Sequence, residues 1–300
     1  VTQAMEQVQI QAQIPDREIL SVIPRSFTLD AQTGLRSPQG MRGNRLIAHV
    51  HVITGATYVI QNLKKCLKLA NLEAAVLVPS ALAVSQLVLA DERELGVCIA
   101  DIGMGTTDIM VISEGTPIWM QVVPMGGELL THDLAVALKT PLRDAEHLKV
   151  QYGYAHTTFA PPDQTAQVRK IADRPAEDIR LQQLTAFVQP RIEEIAEIMG
   201  ERLRLSGRFE KASTGIVLCG GTAALPGISQ VFESVLQCPC RVLKRAHQDG
   251  LDGLLQDPAN TVIAGLLAYG RDQEVLPQPH WLGAQGRMFN RVRQWIQGNF

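Results

Sequence analysis

Apolar residues recur along this 300-residue chain in two periods, and the switches between them mark its elements. An amphipathic opening leads through REILSVIPRSFTLD and the turn-rich SPQGMRGNRL into the strand IAHVHVIT. Val59, Ile60, Leu63, Cys66, Leu67 and Ala70 then fall at helical spacing, closing a small mixed unit over residues 1–75. AAVLVPSALAVSQLVL predicts a strand running into a helix, and DERELG a charged turn. GVCIA and IMVIS are β-rich runs around a glycine turn, and IWMQVVP is a third strand ending at Met125-Gly126-Gly127. The helix ELLTHDLAVALK follows, then the shorter RDAEHLKVQYG with Gly153 as its expected C-cap. Residues 154–180 read as a loop or small excursion, and a long helical pattern carries Pro190, which either kinks it or starts its second part. GIVLCGGTAALPGI is a strand, a Gly-Gly turn and a helix start, and ANTVIAGLLAYG is a last short helix.

The turn IADIGMGTTDI carries the first candidate chemistry. Gly103 and Gly105 permit positive φ and close approach of a ligand. Successive amides there, with the Thr106 and Thr107 hydroxyls, form a donor set suited to phosphate oxygens. Asp101 and Asp108 suit a hydrated Mg²⁺ beside it. An ordinary hairpin with a Gly-rich turn has the same pattern. Gly126 and Gly127 mark a strand-to-helix junction where a nucleotide can approach or where strand and helix simply pack closely. Glu146 and Lys149 are either a surface i,i+3 pair or a grip on ribose hydroxyls.

Composition removes several alternatives. The sequence is 46% hydrophobic and 19% charged, as expected of an α/β protein, and a net charge of −2 gives no global case for nucleic acid. Five cysteines, an odd number, suggest buried thiols in a reducing compartment. CPC at 238–240 lacks a second Cys or His pair at zinc spacing, and His49 and His51 on one strand face lack a third ligand. No apolar run approaches the ~20 residues of a spanning helix. There is no P-loop motif, and GMGTTD leads into a strand rather than a helix, against a dinucleotide site.

In their order, these segments resemble the actin/chaperone/sugar-kinase ATPase superfamily, and within it the FtsA family of bacterial cell-division proteins. PDREILSVIPRSFTLD through VHVIT is similar to the subdomain inserted in that family. ADIGMGTTDI resembles its second phosphate loop, GIVLCGGTAALPGI its adenosine loop, and GGELLTHDLAVAL and AEHLKVQYG its nucleotide-flanking segments; TVIAGLLAYG resembles its second connecting helix. The resemblance implies an actin-like α/β fold of two ribonuclease-H-like halves, binding ATP with Mg²⁺. It implies that Gly103, Gly105, Thr106 and Thr107 hold the β/γ-phosphates and that Asp101 sits by the Mg²⁺ water shell. Gly126 and Gly127 would border phosphates and ribose, Glu146 and Lys149 would contact ribose and base edge, and Gly220, Gly221 and Thr222 would wall the adenine. The family's first phosphate loop has no counterpart before Val1, so the sequence is expected to lack its first segment. LVPSALAVSQ has no acid where hydrolytic relatives orient water, so binding is expected to outrank turnover, leaving at most a weak ATPase.

The tail has its own pattern. VLPQPHWLGAQG reads as a linker over 273–286. In RMFNRVRQWIQGNF, Phe289, Val292, Trp295, Ile296 and Phe300 form one stripe, with Arg287, Arg291 and Arg293 as its charges. Such a helix packs on the domain or lies in a membrane interface; the linker and the positive charges favour the membrane. The family also ends in a membrane-targeting helix. The expected organisation is an inserted assembly and partner module over 1–75, a nucleotide-binding core over 76–272, the linker, and a membrane helix over 287–300. The function implied is an ATP-binding adaptor that tethers FtsZ filaments, by the FtsZ C-terminal tail, to the cytoplasmic face of an anionic membrane at the division site. It would self-assemble and recruit later division proteins. The alternatives are a pilus-assembly actin-like adaptor, a sugar or acetate kinase, which needs a general-base Asp in a substrate cleft, and a chaperone, which needs a large substrate domain.

Overall fold

The structure is a computed structural model and describes residues 4, 7–8, 11–12, 14–172, 174–244, 251 and 253–275, with side-chain surroundings through 271. The chain divides into two compact units, Val1–Pro79 with Tyr269–Phe300, and Ser80–Ala268.

The first unit is built on a three-stranded antiparallel sheet of order β2-β1-β3, from β1 (Arg17–Leu29), β2 (Gln32–Leu35) and β3 (Leu46–Ala56). Pro24 sits beside a bulge in β1, between the Pro24↔Val50 and Ser26↔His49 pairs. There β1 behaves as an edge, because β2 covers only Phe27–Leu29, so the missing proline N–H costs no ladder bond on that side. His49 packs its ring nitrogen 3.4 Å from the Thr28 hydroxyl, and burial, with Arg25 adding, lowers the pKa of His51. Helix α1 (Thr57–Leu69) has the expected spacing, but only Ile60 is buried on it. Val59 and Leu63 are about half exposed.

The second unit holds a five-stranded sheet of order β10-β9-β4-β5-β6. β4 (Val97–Ile102), β5 (Thr107–Ser113) and β6 (Thr116–Val123) form an antiparallel meander, and β9 (Ile216–Cys219) and β10 (Cys240–Val242) run parallel to β4. All six residues of β4 are buried, which is why its sequence is a continuous apolar run rather than an alternating one. Cys98, Ala100 and Ile102 share one cluster with Leu130 and Leu134 of α4 (Gly127–Leu138), Leu148 of α5 (Leu142–Tyr152), Leu184 and Ile192 of α6 (Leu181–Leu205), and Phe232 of α7 (Ile228–Leu236). Val97, Ile99 and Asp101 alternate to the opposite face. The short helix α2 (Ser80–Val84) lies on the same sheet, and Gly265 of α8 (Thr261–Val275) approaches so closely that a Cβ there would meet the Ala83 carbonyl at 2.5 Å.

Several local expectations change. Residues 74–79 form no strand and are not in a sheet. DERELG forms helix α3 (Ala90–Leu95), whose Asp91 and Glu92 favour the N-terminal end and whose Glu92 ion-pairs with Arg241 at 2.8 Å. The 154–180 stretch contains a hairpin of β7 (Thr165–Val168) and β8 (Glu177–Arg180). α6 runs through Pro190 as one helix, losing the single bond to the carbonyl one turn back. Gly153 is the C-cap of α5 as expected, with an extended backbone, and glycine is needed there because a Cβ would lie 2.3 Å from the Lys149 carbonyl.

Candidate nucleotide site

The β4–β5 hairpin fixes the first piece. Asp101 and Asp108 stand directly opposite across the ladder, and Gly103 N–H donates to the Thr106 carbonyl at 2.9 Å. The expected positive φ is absent from Gly103 and Gly105. With the turn closed by that bond, what glycine supplies is room: a Cβ at Gly105 would meet nothing within 4 Å. Met104, Gly105 and Thr106 are exposed. The Thr107 side chain is buried and its hydroxyl donates to the Met125 carbonyl at 2.8 Å, so it ties β5 to the next junction instead of lining the open turn.

The Gly103 carbonyl is the meeting point of the site. It accepts the Gly127 N–H at 2.9 Å and the Thr222 hydroxyl at 3.1 Å, while the Met104 carbonyl accepts the Glu128 N–H at 2.8 Å. The first two amides of α4 are therefore occupied by the hairpin, and the junction borders the turn rather than offering a free helix N-terminus. A Cβ at Gly126 would lie 2.6 Å from the Gly103 and Met104 carbonyls, and one at Gly127 2.5 Å from the Thr222 hydroxyl. Gly220 (φ 85°, ψ 166°) occupies a backbone region open essentially only to glycine. A Cβ there would lie 2.5 Å from an Asp101 carboxylate oxygen. Gly221 faces open space, apart from Ala259 at 3.8 Å.

Glu146 and Lys149 do not form a surface pair. Lys149 is 7% exposed and its Nζ donates to the Gly127 carbonyl at 2.9 Å, the Thr131 hydroxyl at 2.9 Å and Glu146 Oε2 at 2.7 Å. Those three bonds use all its donors. Glu146 is half-exposed and also touches the Thr131 hydroxyl. Burial opposes its charge, but the bonds from Lys149 and Thr131 outweigh it and hold the carboxyl below its usual range. Glu146 also borders a 590 Å³ cavity with Arg143, Asp144, His147, Val150 and Arg169.

The two facing carboxylates test the fit of a cation. Burial pushes Asp101 up; the Ser80 hydroxyl pulls it partly back and the Asp108 charge raises it again. Asp108 is raised by burial as well, against a 2.9 Å hydrogen bond from Ser80. Like charges opposite one another on a ladder are destabilising unless a cation or proton relieves them. Oxygen donors suit Mg²⁺, which keeps most of its water and takes one or two carboxylates plus phosphate oxygens. Among the described residues no group of three His, Cys, Asp or Glu is placed to hold a metal ion.

Asp101, Gly103, Gly105, Thr106, Gly126, Gly127, Glu146, Lys149, Gly220, Gly221 and Thr222 are thus brought to one place within the second unit. Sequence reading missed Ser80 and Thr131. Thr131 is a polar residue on the buried face of an apolar helix four positions after Gly127, a signal that it bonds to something. The tail residues Phe289, Val292, Trp295, Ile296, Phe300, Arg287, Arg291 and Arg293 lie outside the described residues.

Known proteins agree with this architecture. The model of the family "Cell division protein FtsA" matches residues 98–265, and that of the "SHS2 domain inserted in FTSA" matches residues 1–54. The cell division protein FtsA of Pseudomonas aeruginosa is 34% identical, over 95% of this chain and 70% of that protein. Among solved structures, MreB5 of Spiroplasma citri bound to ADP superposes with a TM-score of 0.57 at 21% identity, covering 73% of this chain and 66% of that one. PilM in a PilM–PilN type IV pilus biogenesis complex reaches 0.62 at 16% identity, covering 89% and 72%. These two likenesses establish the actin-like fold alone. The inserted-subdomain match and the relatives above 30% identity go further: the chain belongs to the FtsA family of cell-division proteins.

Proposed function

We propose that this chain binds ATP with Mg²⁺ at the 101–108 turn and acts as a membrane-attached adaptor for FtsZ filaments in septal-ring assembly. The observation that carries the nucleotide reading is the convergence of three glycine-marked junctions on the Gly103 carbonyl. Gly126, Gly127 and Gly220 lack a Cβ where one would collide, and Gly105 opens on free space, so backbone can come close to a flat or anionic ligand. The exposed Gly105 and Thr106 amides and the Thr106 hydroxyl would receive phosphate oxygens, Asp101 would order the metal's water, and Glu146, propped by Lys149, would accept from ribose. Bound Mg²⁺ would neutralise phosphate charge and relieve the Asp101–Asp108 repulsion. Binding, not turnover, is the assigned role, because residues 76–86 contain no acid.

Family membership supports the division role, and the basic aromatic stripe at 287–300 supports attachment to an anionic surface. A short helix with a handful of inserted apolar side chains gives reversible attachment, which becomes effective when several copies act together. Residues 1–75 would serve assembly and recruitment of later division proteins. The test is cosedimentation of the chain with anionic liposomes and FtsZ, with and without MgATP. The chain should carry FtsZ to the pellet, and Trp295→Glu should release both while nucleotide binding persists. Retention of Trp295→Glu on liposomes, with a lowered melting temperature, would instead make the stripe part of the packed domain.

A further inference from the structure

Cys238-Pro239-Cys240 lies at the opposite end of β9 from Gly220, since Cys240 pairs in register with Ile216, the first residue of that strand. Its backbone is held from both sides. Gln237 ends α7 in a left-handed conformation at φ 56°, the Pro239 carbonyl accepts the Ile216 N–H at 2.8 Å, and the Cys240 N–H donates to Glu233 Oε1 at 3.0 Å. The Cys240 thiol donates to the Cys238 carbonyl at 3.4 Å, and the two thiols lie near enough to interact. The Cys240 sulfur is thus turned back towards Cys238 across one proline.

They are also unlike. Cys238 is half-buried and Cys240 is 7% exposed. The bond from the Cys240 thiol holds Cys238 below the ordinary thiol range; burial and Glu233 oppose this and the Arg204 guanidinium assists it. The same contact, with burial, pushes Cys240 far up. One sulfur is accessible and prone to ionise, and its neighbour is a protonated reserve. That division suits an attacking and a resolving thiol.

We propose that Cys238 and Cys240 form a thiol–disulfide exchange site for oxidised low-molecular-weight thiols. The Cys238 thiolate attacks one sulfur of the small disulfide, forming a mixed disulfide and expelling the other half as a thiolate. Cys240 gives up its proton to that thiolate and attacks the Cys238 sulfur, expelling the second small thiolate, which takes a proton from water. The protein pair loses two electrons and the small disulfide gains them. A ring spanning a single intervening residue removes little unfolded-chain entropy, so the bond is a reversible modification rather than a staple.

The test exposes the full chain to oxidised glutathione, alkylates the remaining thiols and maps peptides by mass spectrometry. Two of the five thiols should be lost as an internal disulfide in the peptide spanning 238–240 and return on reduction. Cys240→Ser should trap one glutathione on Cys238, and Cys238→Ser should leave Cys240 a free thiol. Reaction at Cys238 should outpace that at the exposed Cys66 by about fivefold or more. Glutathione accumulating on Cys66 while Cys238 and Cys240 both stay alkylatable would overturn the proposal, as would a permanent mixed disulfide on Cys238 in the unaltered chain.

Discussion

The strands β1 and β4 are both rich in apolar residues, yet only the last three of the thirteen residues of β1 are buried, against all six of β4. Their helices repeat the contrast. α1 buries Ile60 alone and leaves Tyr58 72% and Leu69 77% exposed, whereas α4 buries six of its residues. Covered on both faces, β4 can hold Asp101 in a fixed position where a missing Cβ on Gly220 decides whether the site closes. Among the described residues the first unit instead leaves much of its apolar surface open, which suits contacts with other macromolecules rather than small-molecule chemistry. The contrast supports the proposed division of ligand chemistry and assembly between the two units.

The largest effect that sharpens this contrast is expected at Gly220. Gly220→Ala combines glycine-only backbone with a contact at 2.5 Å, and should destabilise by about 3 kcal/mol, read as a lowered denaturation midpoint. Ile60→Ala comes next, since Ile60 is the one buried residue of α1; a loss of about 2 kcal/mol is expected, with hydrogen exchange rising through 57–69. Lys149→Met removes three bonds from a site where Glu146 can rehydrate, and should cost about 1–3 kcal/mol by urea titration.

Asp108→Asn should act in the opposite direction. Folding raises both facing carboxyls, so the folded chain holds protons that the unfolded chain has released. Their contribution is intact below the unfolded carboxyl values and is lost as pH rises through the folded ones. The ligand-free variant should match the parent in acid and melt higher at neutral pH. A variant less stable at neutral pH would mean the two charges are not in conflict. The smallest change is expected from Leu63→Ser, within about 0.5 kcal/mol, because Leu63 is 48% exposed. A loss as large as that of Ile60→Ala would erase the distinction between the two faces of α1.

Much of the second unit was legible because its signals are local. The hairpin follows from two β-rich runs around a glycine turn, and the junctions from glycine pairs at changes of period. What was not legible depends on distant partners. Nothing within DERELG announces Arg241, which supports α3 from far along the chain. The spacing of Glu146 and Lys149 gives their common face but not the Gly127 carbonyl that draws the lysine inside. The glycines at 103 and 105 suggested a left-handed turn, but the sequence does not reveal that Gly126 would press on that turn from another element. Ser80 was passed over because its role depends on Asp108, reached only once α2 lies on the sheet.

The central claim is that the Asp101-centred turn binds a nucleotide with its metal. Calorimetric titration of ATP into the chain, with and without Mg²⁺, tests it most directly beside Asp101→Asn, which keeps the shape of the buried side chain. The account predicts saturable, Mg²⁺-dependent binding that weakens at least about tenfold in the variant, with an unchanged circular dichroism spectrum. Equal affinity in both proteins, or binding indifferent to Mg²⁺, would contradict it.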